Sequence, residues 1–216
     1  MAEMMYILDL PPPDPEIIKF CLDEVLDTVS HLTTGTWAEQ YNSNDIPDNT
    51  VPAATFIHCF TPDSRIWKHV NLQYRKYFSK PVRPAIIMFS NKSKNHKFAS
   101  LVPHCDVNRT FSLNYLIKPG GDNVVTTFFK ESRENPDLEV IQFGHPSKLT
   151  PDGTFVQPTN SWAMLDVQRY HGVENIENDR ILLMLMSQDN FDRSVTEIYD
   201  ELKHLATPLE SIKLKL

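Results

Sequence analysis

Glycine is scarce in this chain: six residues in 216, against sixteen prolines. That balance disfavours a flexible linker protein and points to stiff, extended connections between strands. Cysteine is scarce too. Cys21, Cys59 and Cys105 are too few and too scattered for a disulfide framework or a four-cysteine zinc site, so a reducing compartment is expected. Basic charge is in deficit, with 21 Lys and Arg against 28 Asp and Glu and a net charge of −7. Nucleic-acid backbones and anionic membranes reward a basic face, so neither is expected as the main partner. Long hydrophobic runs are missing. The run Ile181 to Met186 is far too short to span a bilayer. The first ten residues carry Glu3 and Asp9 and run into Pro11-Pro12-Pro13, unlike the basic flank and apolar stretch of a signal peptide. A soluble, cytoplasmic protein is expected, with no repeat and no low-complexity tract.

What is present suits one folded domain. Apolar residues make up 41%, enough for a real core. A first helix is predicted after the prolines, with Asp14 as N-cap and Pro15 in the first helical position. Ile17, Ile18, Cys21, Leu22, Val25, Leu26 and Val29 recur there at helical spacing. Residues 33–55 are polar and read as loop with at most a short strand. A second helix is predicted over 62–79, with Ile66, Val70, Tyr74 and Tyr77 or Phe78 as its stripe. From residue 84 the pattern changes to short apolar runs. They are 84–90, 98–106, 111–118, 124–130, 138–143, 154–156, 162–167 and 180–187, separated by turn chemistry. Eight runs at hairpin spacing suggest an antiparallel sandwich or small barrel. A last helix is expected from Ser194, with Glu197 closing a capping box and Val195, Ile198, Leu202 and Leu205 as its buried stripe. The expected division is a single domain over 1–216. It comprises a helical support region at 1–83, a β-core at 84–190, and a helix and tail at 191–216.

One constellation carries chemistry. His104-Cys105-Asp106 lies near the end of a predicted strand, where alternation puts His104 and Asp106 on one face. An imidazole and a carboxylate so placed can grip one metal ion from one edge. By itself the triplet is weak, since about 0.6 such triplets are expected by chance in this composition. His171 follows 67 residues later, just after the predicted strand 162–167, and Arg180 opens the apolar strand 180–187. An arginine heading such a strand is costly to bury without an anionic partner. Two histidines and one carboxylate leave three positions of an octahedral ferrous ion open, which a bidentate oxo-acid and dioxygen could fill. The far carboxylate of that acid would suit a bidentate donor such as Arg180.

In these pieces the chain resembles the iron(II)/2-oxoglutarate-dependent oxygenases. The matching residues are His104-x-Asp106, Leu113-Asn114-Tyr115-Leu116, Gly120-Gly121, Thr127-Phe128-Phe129, Trp162, Leu165, His171-Gly172-Val173 and Arg180, across about residues 84–190. The resemblance implies a mainly β fold with flanking α, a double-stranded β-helix or jelly roll with N-terminal helices packed on one sheet. It implies His104, Asp106 and His171 as iron ligands and Arg180 as partner of the distal carboxylate of 2-oxoglutarate. It also implies Tyr115 as a hydrogen-bond donor to that carboxylate. Alternation lets only one of Asn114 and Tyr115 face the interior. The apolar company of Phe111, Leu113 and Ile117 favours Tyr115, with Asn114, together with Ser112, as the alternative. The implied reaction consumes 2-oxoglutarate and dioxygen, releases succinate and carbon dioxide, and hydroxylates a small molecule or a peptide side chain. Trp162 reads as core.

Other residues read more plainly. His145 and His58 have no spaced partner and read as loop or core histidines. Cys105 points away from the metal face and reads as packing. Lys92, Lys94, His96 and Lys97 read as a solvated hairpin tip, and Gly120-Gly121-Asp122-Asn123 as a turn. Two alternatives stay open at this level: a cupin-like metalloprotein with a different reaction, and a non-catalytic jelly roll that binds or supports.

Overall fold

A computed structural model describes residues 4–29, 51–106, 111–132, 142–144, 146–187 and 200–211. Helix α1 spans Pro15–Val29. Asp14 caps it as expected: its Oδ1 accepts from Glu16 N–H at 2.8 Å, and Ile18 N–H reaches Asp14 O at 3.1 Å. Ile17 and Cys21 are buried; the side chains of Val25, Leu26 and Val29 lie outside the described residues. Helix α2 spans Arg65–Tyr74 and buries Ile66, Val70 and Tyr74. It is shorter at both ends than its periodicity suggests. At the start, Thr61–Ser64 forms a turn, and Ser64 Oγ caps the helix by accepting from Trp67 N–H at 3.2 Å. At the other end, Asn71 draws the following chain back. Its amide donates to Val82 O at 2.8 Å and accepts from Val82 N–H at 2.7 Å.

The strands form two sheets. The larger has the order β13-β1-β10-β6-β12-β4-β3. These are Ala206–Pro208, Met5–Leu8, Trp162–Asp166, Phe111–Pro119, Arg180–Ser187, Val82–Ser90 and Ala54–Cys59. The smaller has the order β2-β5-β11-β7-β9, with β8 also paired to β5. These are Val51–Pro52, Ala99–Cys105, Arg169–Ile176, Val125–Ser132, Pro151–Phe155 and Gln142–Phe143. From β4 to β7 and from β10 to β12 the chain steps from one sheet to the other at every strand. That alternation of antiparallel strands between two facing sheets is a double-stranded β-helix, a jelly roll.

The seven-stranded sheet has two different faces. One carries Leu113, Tyr115, Trp162, Met164, Ile181, Leu183 and Leu185 and packs against Ile17, Cys21, Ile66, Val70 and Tyr74 of the helices. Burying this apolar layer is the main packing term of the fold. The proline strap runs along it. Prolines lack an N–H, so the strap bonds through carbonyls. Pro11 O accepts from Tyr74 Oη and from Trp162 Nε1, both at 3.0 Å, and Pro12 O accepts from Gln73 Nε2 at 2.7 Å. The other face looks toward the smaller sheet and carries Ala85, Ile87, Leu116, Leu182 and Met184.

Besides β2, the short strand allowed for in 33–55, four strands are additional to the sequence reading. β1 pairs with β10 and β13, although residues 5–8 lie in the region expected to be helical support. β3 borders β4 where a loop was expected up to residue 55. β11 is a strand in its own right, so His171 lies within a strand and not after one. Its sequence, Arg-Tyr-His-Gly-Val-Glu-Asn-Ile, is half polar and shows no apolar alternation. It is a strand because β5 and β7 flank it on both sides. Near the C-terminus, Leu202 is buried as expected, but Lys203–Leu205 is a 3-10 turn that leads into β13. Ser194, Val195, Glu197 and Ile198 lie outside the described residues, as do His145 and 138–141. Among the described residues no helix is long and apolar enough to cross a membrane.

Candidate metal centre

β5 and β11 lie side by side in the smaller sheet, and His171 sits directly opposite His104. Their rings are 4.4 Å apart between centroids. Asp106 follows the end of β5, with its backbone N–H bonded to Val167 O at 3.0 Å. His104 Nε2 lies 3.5 Å from Asp106 Oδ1. One donor atom from each of His104, Asp106 and His171 lies within 4.8 Å of the other two, and all three residues are buried.

Backbone irregularity aims these groups. Between His171 and Val173, two steps on β11 match three on β5, from His104 to Leu101. The extra residue is a bulge, and it lets Leu101 and His104 face the same way. Gly172 sits against it: a Cβ there would meet Leu101 O at 2.9 Å. The triad faces the space between the sheets. Phe128 stacks on His171 with centroids 5.8 Å apart, and it packs with Ala163 and Leu165 of the opposite sheet.

Each imidazole is tied back by its own strand. His104 Nδ1 bonds Val102 O at 2.9 Å, and His171 Nδ1 bonds Arg169 O at 3.0 Å. A carbonyl only accepts, so each Nδ1 donates, which leaves Nε2 as the atom that each ring can offer a metal. Two such nitrogens and a carboxylate oxygen form a donor set that fits a divalent first-row metal. The carbonyl partners fix tautomer and ring angle, as metal-binding histidines require.

Arg180 opens β12 on the inner face. Its neighbours across β4, Phe89 and then Ile87 and Ala85 in step with Leu182 and Met184, share that face. It is only 4% exposed, and burial pulls its pKa down to about 10. Nη1 donates to Pro119 O at 3.1 Å, while Nε is buried without a partner. Among the described residues no carboxylate pairs with it. A buried cation with an unmet donor is costly unless an anion completes it, so the site fits a carboxylate ligand. Gly120 makes room for this side chain. Its φ is +85°, and a Cβ would come within 2.7 Å of Arg180 Cβ.

The choice between Tyr115 and Asn114 is reversed. Tyr115 belongs to the helix-facing layer, 5.2 Å from Trp162 between ring centroids, so its apolar company marks the outer face. Asn114 and Ser112 face inward. Ser112 Oγ donates to Asn114 Oδ1 at 3.1 Å and approaches Met184 Sδ at 3.6 Å. The signal was in the strand all along: Ser112-x-Asn114 is a polar pair at period two, which is how a polar interior reads. Trp162 is core, as expected, at 1% exposed. Arg169, next but one to His171, could be read from sequence as a residue of the site mouth or of the surface, but its partners could not. Arg169 Nη1 donates to Asp152 Oδ2 at 2.8 Å, and its Nε lies 3.8 Å from Asp166 Oδ2.

No protein-family model matches the chain, and no curated protein does. Among solved structures it is similar to SnoN, the non-heme alpha-ketoglutarate-dependent epimerase from nogalamycin biosynthesis, with a TM-score of 0.49 and 12% identity over 99% of this chain and 92% of that one. The carbocyclase SnoK from the same biosynthesis gives 0.48 and 11% over 99% and 90%. A prolyl-4-hydroxylase from Pseudomonas putida gives 0.41 and 10% over 84% and 89%. Overlaps this loose carry no chemistry, and the reading of the site rests on its own side chains.

Proposed function

We propose that this protein is an Fe(II)- and 2-oxoglutarate-dependent oxygenase, acting as a hydroxylase. The observation that carries the reading is a pairing inside one jelly roll. A buried two-histidine, one-carboxylate cluster and a buried arginine with no anionic partner among the described residues face the same inter-sheet space. Arg180 favours this over a cupin-like enzyme without cosubstrate, which has no need of a buried cation.

In this reading His104, Asp106 and His171 hold the iron through two Nε2 atoms and one carboxylate oxygen. Arg180 takes the distal carboxylate of 2-oxoglutarate, and Asn114 with Ser112 lines the same inner face. When bound, the metal and cosubstrate supply dioxygen activation coupled to oxidative decarboxylation to succinate and carbon dioxide. The protein's own work is electrostatic and geometric. Asp106 and the dianionic cosubstrate cancel the charges of the ferrous ion and Arg180, so the loaded interior is neutral. The Val102 and Arg169 carbonyls keep both imidazoles in the metal-binding tautomer. Phe128, Phe155 and Leu165 form an apolar wall that excludes water beside the cluster.

The test is anaerobic addition of Fe(II) and then 2-oxoglutarate to the folded protein. A metal-to-ligand charge-transfer band is expected, and it is lost in His104→Ala. Absence of the band in metal-loaded wild-type protein overturns the reading.

A further inference from the structure

The turn that joins β10 to β11 is only a few residues long, yet it touches two of the three triad residues. Val167 O accepts the backbone N–H of Asp106 at 3.0 Å, and Arg169 O accepts from His171 Nδ1 at 3.0 Å. The sheet does not hold this turn by a regular ladder. Arg169 pairs with Ser132 and His171 with Phe128, so two steps along β11 correspond to four along β7. Side chains hold it instead. Asp166 Oδ1 accepts from Gln168 N–H at 3.1 Å, closing a local turn. Arg169 Nη1 donates to Asp152 Oδ2 on β9 at 2.8 Å, and its Nε faces Asp166 Oδ2 at 3.8 Å. One guanidinium therefore ties together β9, the end of β10 and the start of β11.

The two histidines differ in what stands behind them. The carbonyl holding His104 belongs to Val102, an apolar residue fixed by burial. The carbonyl holding His171 belongs to Arg169, whose side chain is 22% exposed and is fixed by ion pairs. Packing on one side and charge on the other should respond differently to substitution and to salt.

The geometry points to Arg169, anchored by Asp152, as a positioning residue for the triad: its ion pair locks the turn whose carbonyls orient His171 and carry Asp106. Arg169 touches neither metal nor substrate and acts only through that backbone. The inference rests on the reading of His104, Asp106 and His171 as a metal site.

The experiment titrates Mn(II) into the full-length protein and follows loss of the free-ion EPR signal, with His104→Ala as the site control. Arg169→Leu is expected to raise the Mn(II) Kd about tenfold, the scale of outer partners of metal ligands. Asp152→Asn, which keeps the arginine, is expected to raise it about threefold, below the tenfold to hundredfold scale of a lost outer partner. Arg169→Lys recovers part of the loss, since an ammonium replaces charge but not the guanidinium fork. Arg65→Leu removes the exposed Arg65–Glu16 pair on the helices and leaves the Kd unchanged. Long-range 1H–15N spectra of the metal-free protein supply a readout that a merely structural role would not move. The Nδ1–H tautomer of His171 falls in Arg169→Leu, while that of His104 holds. If both variants bind Mn(II) as wild type does and the His171 tautomer is unmoved, the inference is overturned and the metal site stands. If wild type binds no Mn(II), or His104→Ala binds it equally well, the metal reading falls and takes this inference with it.

Discussion

The two faces of the seven-stranded sheet are both buried, yet they do opposite work. The face under α1 and α2 is a continuous apolar layer in which the Tyr74 hydroxyl and the Trp162 indole N–H bond the Pro11 carbonyl. The face toward the smaller sheet mixes Leu116, Leu182 and Met184 with Ser112, Asn114 and an arginine whose Nε has no partner. The first face buries no charge, and its donor without a partner among the described residues is the neutral Trp67 Nε1 of α2. The second leaves a buried cation without a counter-charge among the described residues, which is the mark of a surface built for a ligand. Burial alone therefore does not separate core from site, and neither does a single orphan donor; a buried charge without a counter-charge does.

Substitutions on the two faces should break stability and binding apart. The largest effect belongs to the helix-facing layer. Leu183→Ala is expected to cost about 3 kcal/mol of unfolding free energy in urea titration, with iron affinity of the folded protein unchanged. Loss of iron binding at full stability would reverse the assignment of faces. Next is Arg180→Leu. It is expected to weaken 2-oxoglutarate binding about a hundredfold, roughly 2.7 kcal/mol, while iron affinity stays within about twofold. Because it removes a buried cation that no described carboxylate pairs with, it should also raise the melting temperature of the ligand-free protein. Equal loss of iron and cosubstrate would instead make Arg180 structural. Tyr74→Phe removes one hydrogen bond to the Pro11 carbonyl and should cost about 1 kcal/mol in the same urea titration, with no change in cosubstrate binding. The smallest contrast is the sharpest. Asn114→Ala should weaken 2-oxoglutarate binding about fivefold, the scale of one polar contact, and Tyr115→Phe should leave it unmoved. The opposite order would put Tyr115 back in the site.

Much of this organisation was legible in the chain. The Asp14-Pro15 start of α1, the stripe of α2 and most long strands follow from local spacing, because caps and periodicity are local physics. His104 and Asp106 were legible for the same reason, being two residues apart at the end of one strand. The short strands were not. β1 has four residues and β13 three, too few for a period to register, and they exist because each finds a partner. β11 was hidden by its polar content, which a central strand tolerates when it carries a site.

Tyr115 shows where sequence reasoning stops. Alternation along β6 sorts its residues into two sets, Leu113 with Tyr115 and Ser112 with Asn114, and that much is a property of the chain. Which set meets the helices and which meets the triad is not, because both destinations are buried. Only the packing of α1 and α2 on one side and the smaller sheet on the other assigns them. The same holds for the triad. The donor types and the Arg180 charge were readable residue by residue. Their convergence depends on a bulge in β5, a glycine against it and a turn held by Arg169, none of which has a local signature.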